Sequence, residues 1–180
     1  MRIPERDAQT EVDVLAHTVA THGGKPFLLT GDETTTFGSL DRQSNRLAHG
    51  LAAAGVESGD RVLLMLKDNV DFIALWLATA KLVAIEVPVN RAYQGDLLAH
   101  VINDSGARLM VIDLEFFPAL ETVQDQLENL TQIVCYPTMP EQSQLKPRFE
   151  LIDFSTFASD DDKGFTGRPK PSDLAAILYT

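Results

Sequence analysis

The run Asp160-Asp161-Asp162 is the densest group of potential metal ligands in the chain. Adjacent acids in a polar loop normally face water, and no spaced set of further ligands accompanies these three, so a solvated loop is expected. His17, His22, His49 and His100 fall on predicted helices without metal-ligand spacing, which places them at surfaces or boundaries. Cys135 is the single cysteine; apolar neighbours surround it and no histidine is near in sequence, the pattern of a buried structural thiol rather than a nucleophile. Trp76 sits in an apolar helical stretch and is expected in the core rather than as a substrate platform. Asp173-Leu174-Ala175-Ala176-Ile177-Leu178-Tyr179-Thr180 has the pattern of a buried strand. In α/β sheets ligands bind beyond the carboxyl ends of strands. Thr180 therefore stands where binding chemistry is expected to begin.

Those residues need elements to position them. Thr10 caps a helix to about His22, on which Val12, Leu15, Ala16 and Val19 share one face, with Gly23 and Gly24 at its end. Pro26 to Thr30 and Thr34 to Phe37 flank Gly31-Asp32-Glu33, a short hairpin. Ser39 opens a helix lined by Leu40, Leu47, Leu51 and Ala54 and closed by Gly55. Strands are then expected at Arg61–Leu66, Val83–Val89, Arg108–Ile112 and Thr131–Tyr136. Helices are expected at Val70 to about Leu82, Gln94–Asp104 with Leu97, Leu98, Val101 and Ile102 inward, and Phe116–Leu130. Such alternation predicts an α/β fold: a mostly parallel sheet with helices on both faces, preceded by a helix and a hairpin. Pro137–Pro147 reads as loop, Phe149–Phe154 as a short strand and Ser155–Ala158 as a helical turn. The expected organisation is an α/β portion over 1–158, an exposed linker over 159–172 and a strand over 173–180.

The totals narrow the class. The 180 residues carry 15 Lys and Arg against 26 Asp and Glu, a net charge of -11, so nucleic acid is not an expected partner. One cysteine excludes an intramolecular disulfide. Residues 1–11 lack the apolar segment of a secretory signal. The most apolar stretch, Val70 to Val89, is broken by Asp71, Lys81 and Glu86, so no transmembrane segment is expected. These readings set a cytoplasmic location as the expectation.

Several segments, in order, resemble the adenylate-forming (AMP-binding) enzyme superfamily. Thr36-Phe37-Gly38-Ser39-Leu40 resembles its early Thr-Tyr-x-Glu-Leu element. Asn45-Arg46-Leu47-Ala48, Leu51 to Val56 and Gly59-Asp60-Arg61-Val62 resemble its first long helix and strand. Ala78 to Ala84 with Val87-Pro88-Val89-Asn90 resembles a Lys-x-Gly-Ala…Pro-x-Asn stretch, with Val83 where glycine is usual. Asn103 to Ala107 resembles an Asp-Ser-x-Ala helix end. Asp173–Thr180 resembles the lead-in to the superfamily's phosphate-binding loop, Ser-Gly-Thr-Thr-Gly-x-Pro-Lys-Gly. The wording over Trp76–Ser105 is most similar to bacterial fatty acyl-CoA and carnitine or crotonobetaine-CoA ligases.

The resemblance implies an N-terminal fragment of an acyl-CoA ligase. A carboxylic acid would react with ATP and Mg²⁺ to give acyl-AMP and pyrophosphate, and coenzyme A would then displace AMP. It implies no catalytic residue and no metal ligand in this chain, and only Thr180 in the nucleotide loop. The isolated chain is then expected to be inactive, to bind none of these cofactors tightly and to self-associate. An amino-acid-activating adenylation domain and a non-catalytic α/β binding module are the alternative readings. Thr166-Gly167-Arg168-Pro169-Lys170 matches the Thr-Gly-x-Pro-Lys core of that loop, yet no buried strand precedes it, and a solvated linker is expected there.

Overall fold

The computed structural model describes residues 9–31, 33–165 and 168–180. They form two compact units interleaved in sequence: residues 9–58, 69–84 and 158–175 in one, and residues 59–68, 85–157 and 176–180 in the other.

The first unit holds helix α1 (Glu11–His22), the hairpin strands β1 (Pro26–Thr30) and β2 (Glu33–Thr36), helix α2 (Phe37–Ala53) and helix α3 (Val70–Lys81). Capping boxes start two of the helices. At α1 the Thr10 hydroxyl accepts from the Asp13 amide at 3.2 Å, and the Asp13 carboxylate accepts from the Thr10 amide at 3.1 Å. At α2 the cap is Thr36, not Ser39. Ser39 is the third helical residue and returns the bond, its hydroxyl accepting from the Thr36 amide at 2.9 Å. Asn69 caps α3, accepting from the Phe72 amide at 2.9 Å. Leu40, Leu47 and Leu51 of α2 are buried, as are Ala74, Leu75 and Ala78 of α3. Trp76 is 44% exposed, so the expectation of a core tryptophan fails. It falls on the other side of α3, lining with Val14, Leu15, Phe27, Phe37 and Ile73 an apolar groove of about 310 Å³.

Helix α3 ends in a Schellman motif. The Ala84 amide donates to the Thr79 carbonyl at 3.0 Å and the Val83 amide to the Ala80 carbonyl at 2.9 Å. Val83 occupies the left-handed position with φ of 58°. A β-branched residue there carries about 1–2 kcal/mol of strain. The strand after it starts at Ile85 rather than Val83, because residues 83 and 84 complete the helix cap.

The second unit is a five-stranded parallel sheet in the order β4-β3-β5-β6-β7. Its strands are β3 (Arg61–Met65), β4 (Ile85–Pro88), β5 (Leu109–Asp113), β6 (Gln132–Tyr136) and β7 (Glu150–Asp153). Helices α4 (Gly95–Ser105), α5 (Phe117–Val123) and the short α6 (Phe154–Phe157) belong to this unit. Leu63, Met65, Met110, Ile112, Ile133 and Cys135 alternate along their strands and pack with Leu98 and Ile102 of α4 and Leu120 of α5. The opposite set, Val62, Leu64, Leu109, Val111 and Val134, is buried too. That explains the unbroken apolar runs of the strands. Gly106 ends α4 with φ of 62°, and Arg61 closes the turn by donating to the Ser105 and Gly106 carbonyls, each at 2.8 Å.

Two expectations are corrected in this unit. Leu97 is 50% exposed rather than inward. The helix expected over Phe116–Leu130 stops at Val123 and continues as a 3₁₀ turn over Gln124–Gln126. Side chains distant in sequence capture the backbone that would have continued it. Arg148 donates to the Gln124 and Leu127 carbonyls at 2.7 Å, while Asn103 donates to the Gln126 carbonyl at 2.7 Å and accepts from the Glu128 amide at 3.0 Å.

Candidate functional site

All five strands run the same way, so their carboxyl ends share one edge of the second unit. The chain crosses from β3 to β4 in one direction and then returns past β3 to reach β5. Reversals of that kind create the crevice in which α/β sheets take ligands. The C-terminal segment approaches this edge alongside β4. Ala176 forms a single parallel bridge with Glu86, and the Ile177 amide donates to the Glu86 carbonyl at 2.9 Å. Thr180 lies four residues beyond the bridged Ala176. Asp173–Thr180 thus joins the sheet through one bridge rather than along a full ladder.

Ile177 and Tyr179 pack against the sheet core, whereas Leu178, on the alternate face, is 70% exposed. Two tyrosines pin the segment. The Tyr93 hydroxyl donates to the Tyr179 carbonyl at 3.4 Å, and the Tyr179 hydroxyl donates to the Asp104 carboxylate at 2.7 Å. Burial, then the hydrogen bond to Asp104 and its charge, pushes the Tyr179 phenol up to about 12. Tyr179 therefore stays protonated and keeps donating. Thr180 itself is exposed.

Other polar groups at the strand ends are paired with one another. Lys67, just after β3, pairs with Glu115, just after β5; the hydrogen bond and then the charge of Glu115 raise the lysine above its ordinary range. Arg91 pairs with Asp68 at 3.2 Å. Asp113 is buried and accepts from the Glu115 amide at 3.0 Å. Asp153 ends β7 and accepts from the Ser155 amide at 2.8 Å and the Thr138 hydroxyl at 3.1 Å. Bonds from Ser155 first, then from Thr138 and Met139, hold its carboxyl below the usual range. Charges engaged in this way fix the loops that frame the edge. Among the described residues no group of three His, Cys, Asp or Glu is disposed to hold a metal ion.

The remaining sequence candidates lie elsewhere. Cys135 is fully buried in β6; burial, then the charge of Asp153, pushes its thiol up to about 11, the reverse of an activated nucleophile. Asp160 pairs with Arg46 at 3.4 Å, and Asp161 accepts from the Lys163 amide at 3.0 Å. Lys170 is exposed, its amide donating to Asp173 at 2.8 Å. Thr166 and Gly167 of the Thr-Gly-x-Pro-Lys match lie outside the described residues. Sequence reasoning passed over Tyr93 and Asp104, which anchor Tyr179. Asp104 lies in the segment that resembles the Asp-Ser-x-Ala helix end, near the end of α4, and Tyr93 lies in the turn before α4.

Comparison with known proteins gives this edge its context. The AMP-binding enzyme family matches residues 15–180. The chain is 30% identical over 179 residues to a 4-hydroxybenzoate–CoA/benzoate–CoA ligase of Rhodopseudomonas palustris, covering 99% of this chain and 32% of that protein. It is 33% identical over 120 residues to a fatty acid–[acyl-carrier-protein] ligase of Streptomyces coeruleorubidus, covering 67% of this chain and 23% of that one. The coronafacic acid ligase of Pectobacterium brasiliense, in its R395G form, superposes with a TM-score of 0.79 at 17% identity, over 94% of this chain and 33% of that structure, a likeness of fold. The chain spans about a third of the Rhodopseudomonas palustris ligase and about a quarter of the Streptomyces coeruleorubidus ligase. With its ordered sequence elements, its parallel sheet and a match over 15–180, this chain belongs to the AMP-binding enzyme family.

Proposed function

We propose that this chain forms the N-terminal part of an ATP-dependent, AMP-forming acyl-CoA ligase acting on a carboxylic acid. The observation that supports this reading is the family match over residues 15–180, together with the bridge that brings Ala176 alongside Glu86 of β4. In that role the chain supplies a scaffold. Tyr93, Tyr179 and Asp104 anchor the lead-in segment, and the Thr180 hydroxyl begins the surface that meets phosphate. In the whole enzyme ATP would supply the leaving group for the carboxylate, Mg²⁺ would supply charge at its phosphates, and coenzyme A would supply the accepting thiol. A cytoplasmic location suits such a reaction.

The isolated 180 residues are proposed to be inactive and to self-associate, a reading supported by the exposure of Leu174 (58%) and Leu178 (70%). Pyrophosphate exchange with ATP tests the whole reading. The full-length protein should catalyse it with a benzoate, hydroxybenzoate or fatty acid panel, and the 180-residue chain should not. Absence of exchange with every acid in the full-length protein would overturn the ligase proposal.

A further inference from the structure

Lys81 is 4% exposed, in the last turn of α3. Its ammonium donates to the Ser44 hydroxyl at 2.6 Å, the Asn45 side-chain oxygen at 2.6 Å and the Asp41 carboxylate at 2.8 Å, all on α2. An ammonium has three protons and no lone pair. Its neighbours must therefore present acceptors. Asn45 is also buried, and turning its oxygen toward Lys81 turns its amide nitrogen the other way. That nitrogen donates at 3.0 Å to the carbonyl of Asp162, 117 residues on in the chain.

The same edge of α2 holds the neighbouring residues of that segment. Arg46 donates to the Ser159 carbonyl at 2.7 Å, and the Ser159 amide donates back to the Arg46 carbonyl at 3.0 Å. One turn further on, the His49 ring nitrogen lies 3.3 Å from the Lys163 carbonyl, and its ring lies 5.0 Å from that of Phe165. Asn45 is the only buried member of this set, so its bond is the one that water replaces least readily.

We propose that Lys81 is a positioning residue that acts through Asn45: by dictating which way the Asn45 amide faces, it holds the segment Ser159–Lys163 along α2. The inference rests on hydrogen-bond geometry within the first unit and does not depend on the ligase reading. It also separates two roles of one cluster. Ser44 and Asp41 share the buried charge with Asn45, while the Asn45 amide nitrogen, which also lies 3.5 Å from the Asp41 carboxylate, reaches the Asp162 carbonyl.

Hydrogen exchange by peptide, with trypsin cleavage after Lys163 as a second readout, tests the proposal in the purified protein. Asn45→Asp keeps an acceptor for Lys81 but sets an oxygen against the Asp162 carbonyl. Exchange across residues 159–163 should rise about five- to tenfold, as expected for loss of one part-buried hydrogen bond, while peptides from β5 and β6 stay unchanged. Lys81→Met frees the amide to turn and should accelerate the same segment. Ser44→Ala removes an acceptor from Lys81 without touching the strap, and should lower global stability while leaving 159–163 protected. Wild-type exchange and cleavage in Asn45→Asp would overturn the proposal, as would equal acceleration by Ser44→Ala. Should Lys81→Met fail to fold, the Asn45→Asp and Ser44→Ala pair decides.

Discussion

Cys135 should make this protein sensitive to alkali in a way that one substitution removes. The thiol lies fully buried in β6, and burial raises it from its ordinary 9.0 to about 11. Between those values the unfolded chain has lost the thiol proton while the folded chain keeps it. The raised value therefore contributes stability that is fully present below pH 9.0 and is lost as pH rises through about 11. Linkage puts the full contribution at about 3 kcal/mol, of which about 2 kcal/mol is gone by about pH 10.5. Lys81 has the opposite sign. Burial lowers its pKa, so its penalty eases as pH rises toward its ordinary 10.5. A difference between two proteins that both contain Lys81 cancels that effect. Urea unfolding of wild type and Cys135→Ala, from neutral pH to about pH 11, isolates the thiol. Near neutrality the alanine variant should be less stable by roughly 1 kcal/mol, the cost of a small cavity. The gap should close and then reverse as pH rises, narrowing by about 2 kcal/mol at about pH 10.5. Stability curves that stay parallel across the range would refute the assignment of a raised, burial-shifted thiol.

Three further perturbations address the turns and the C-terminal anchor. Gly106→Ala places a Cβ in a left-handed turn, 2.8 Å from the Arg61 guanidinium that caps it. Its urea-unfolding free energy should fall by about 2 kcal/mol, combining backbone strain with a weakened cap. Val83→Asn should leave stability unchanged or raise it by up to about 1 kcal/mol, because asparagine tolerates the left-handed region that valine resists. A drop in thermal midpoint would show that valine packing outweighs the strain. Tyr179→Phe removes the 2.7 Å bond to Asp104. Amide exchange at Ile177 should accelerate several-fold while the global unfolding midpoint holds, since the segment touches the sheet through one bridge.

Periodicity alone located the sheet and most helices. The apolar runs beginning at Arg61, Arg108 and Thr131 became β3, β5 and β6 within a residue or two of the expected bounds. The Thr10 cap was legible because a threonine and an acid three residues apart satisfy each other locally. Thr36 was missed for a related reason: its reciprocal partner is a serine, not the glutamate or glutamine of the usual box. The last apolar run, expected as a strand, forms one bridge to Glu86 instead. Nothing in the order of residues specifies which carboxylate a tyrosine will meet. Tyr179 and Asp104 are 75 positions apart, and only the packed sheet brings them to 2.7 Å. Helix α5 was overestimated because helical pattern is a local property, whereas Arg148 and Asn103 end it from 21 to 25 residues away. Local chemistry determined the caps, the apolar strands and the family resemblance. Tertiary structure decided where Trp76 is exposed, how Lys81 is neutralised and what holds the approach to Thr180, because each depends on groups that meet only after the chain has packed.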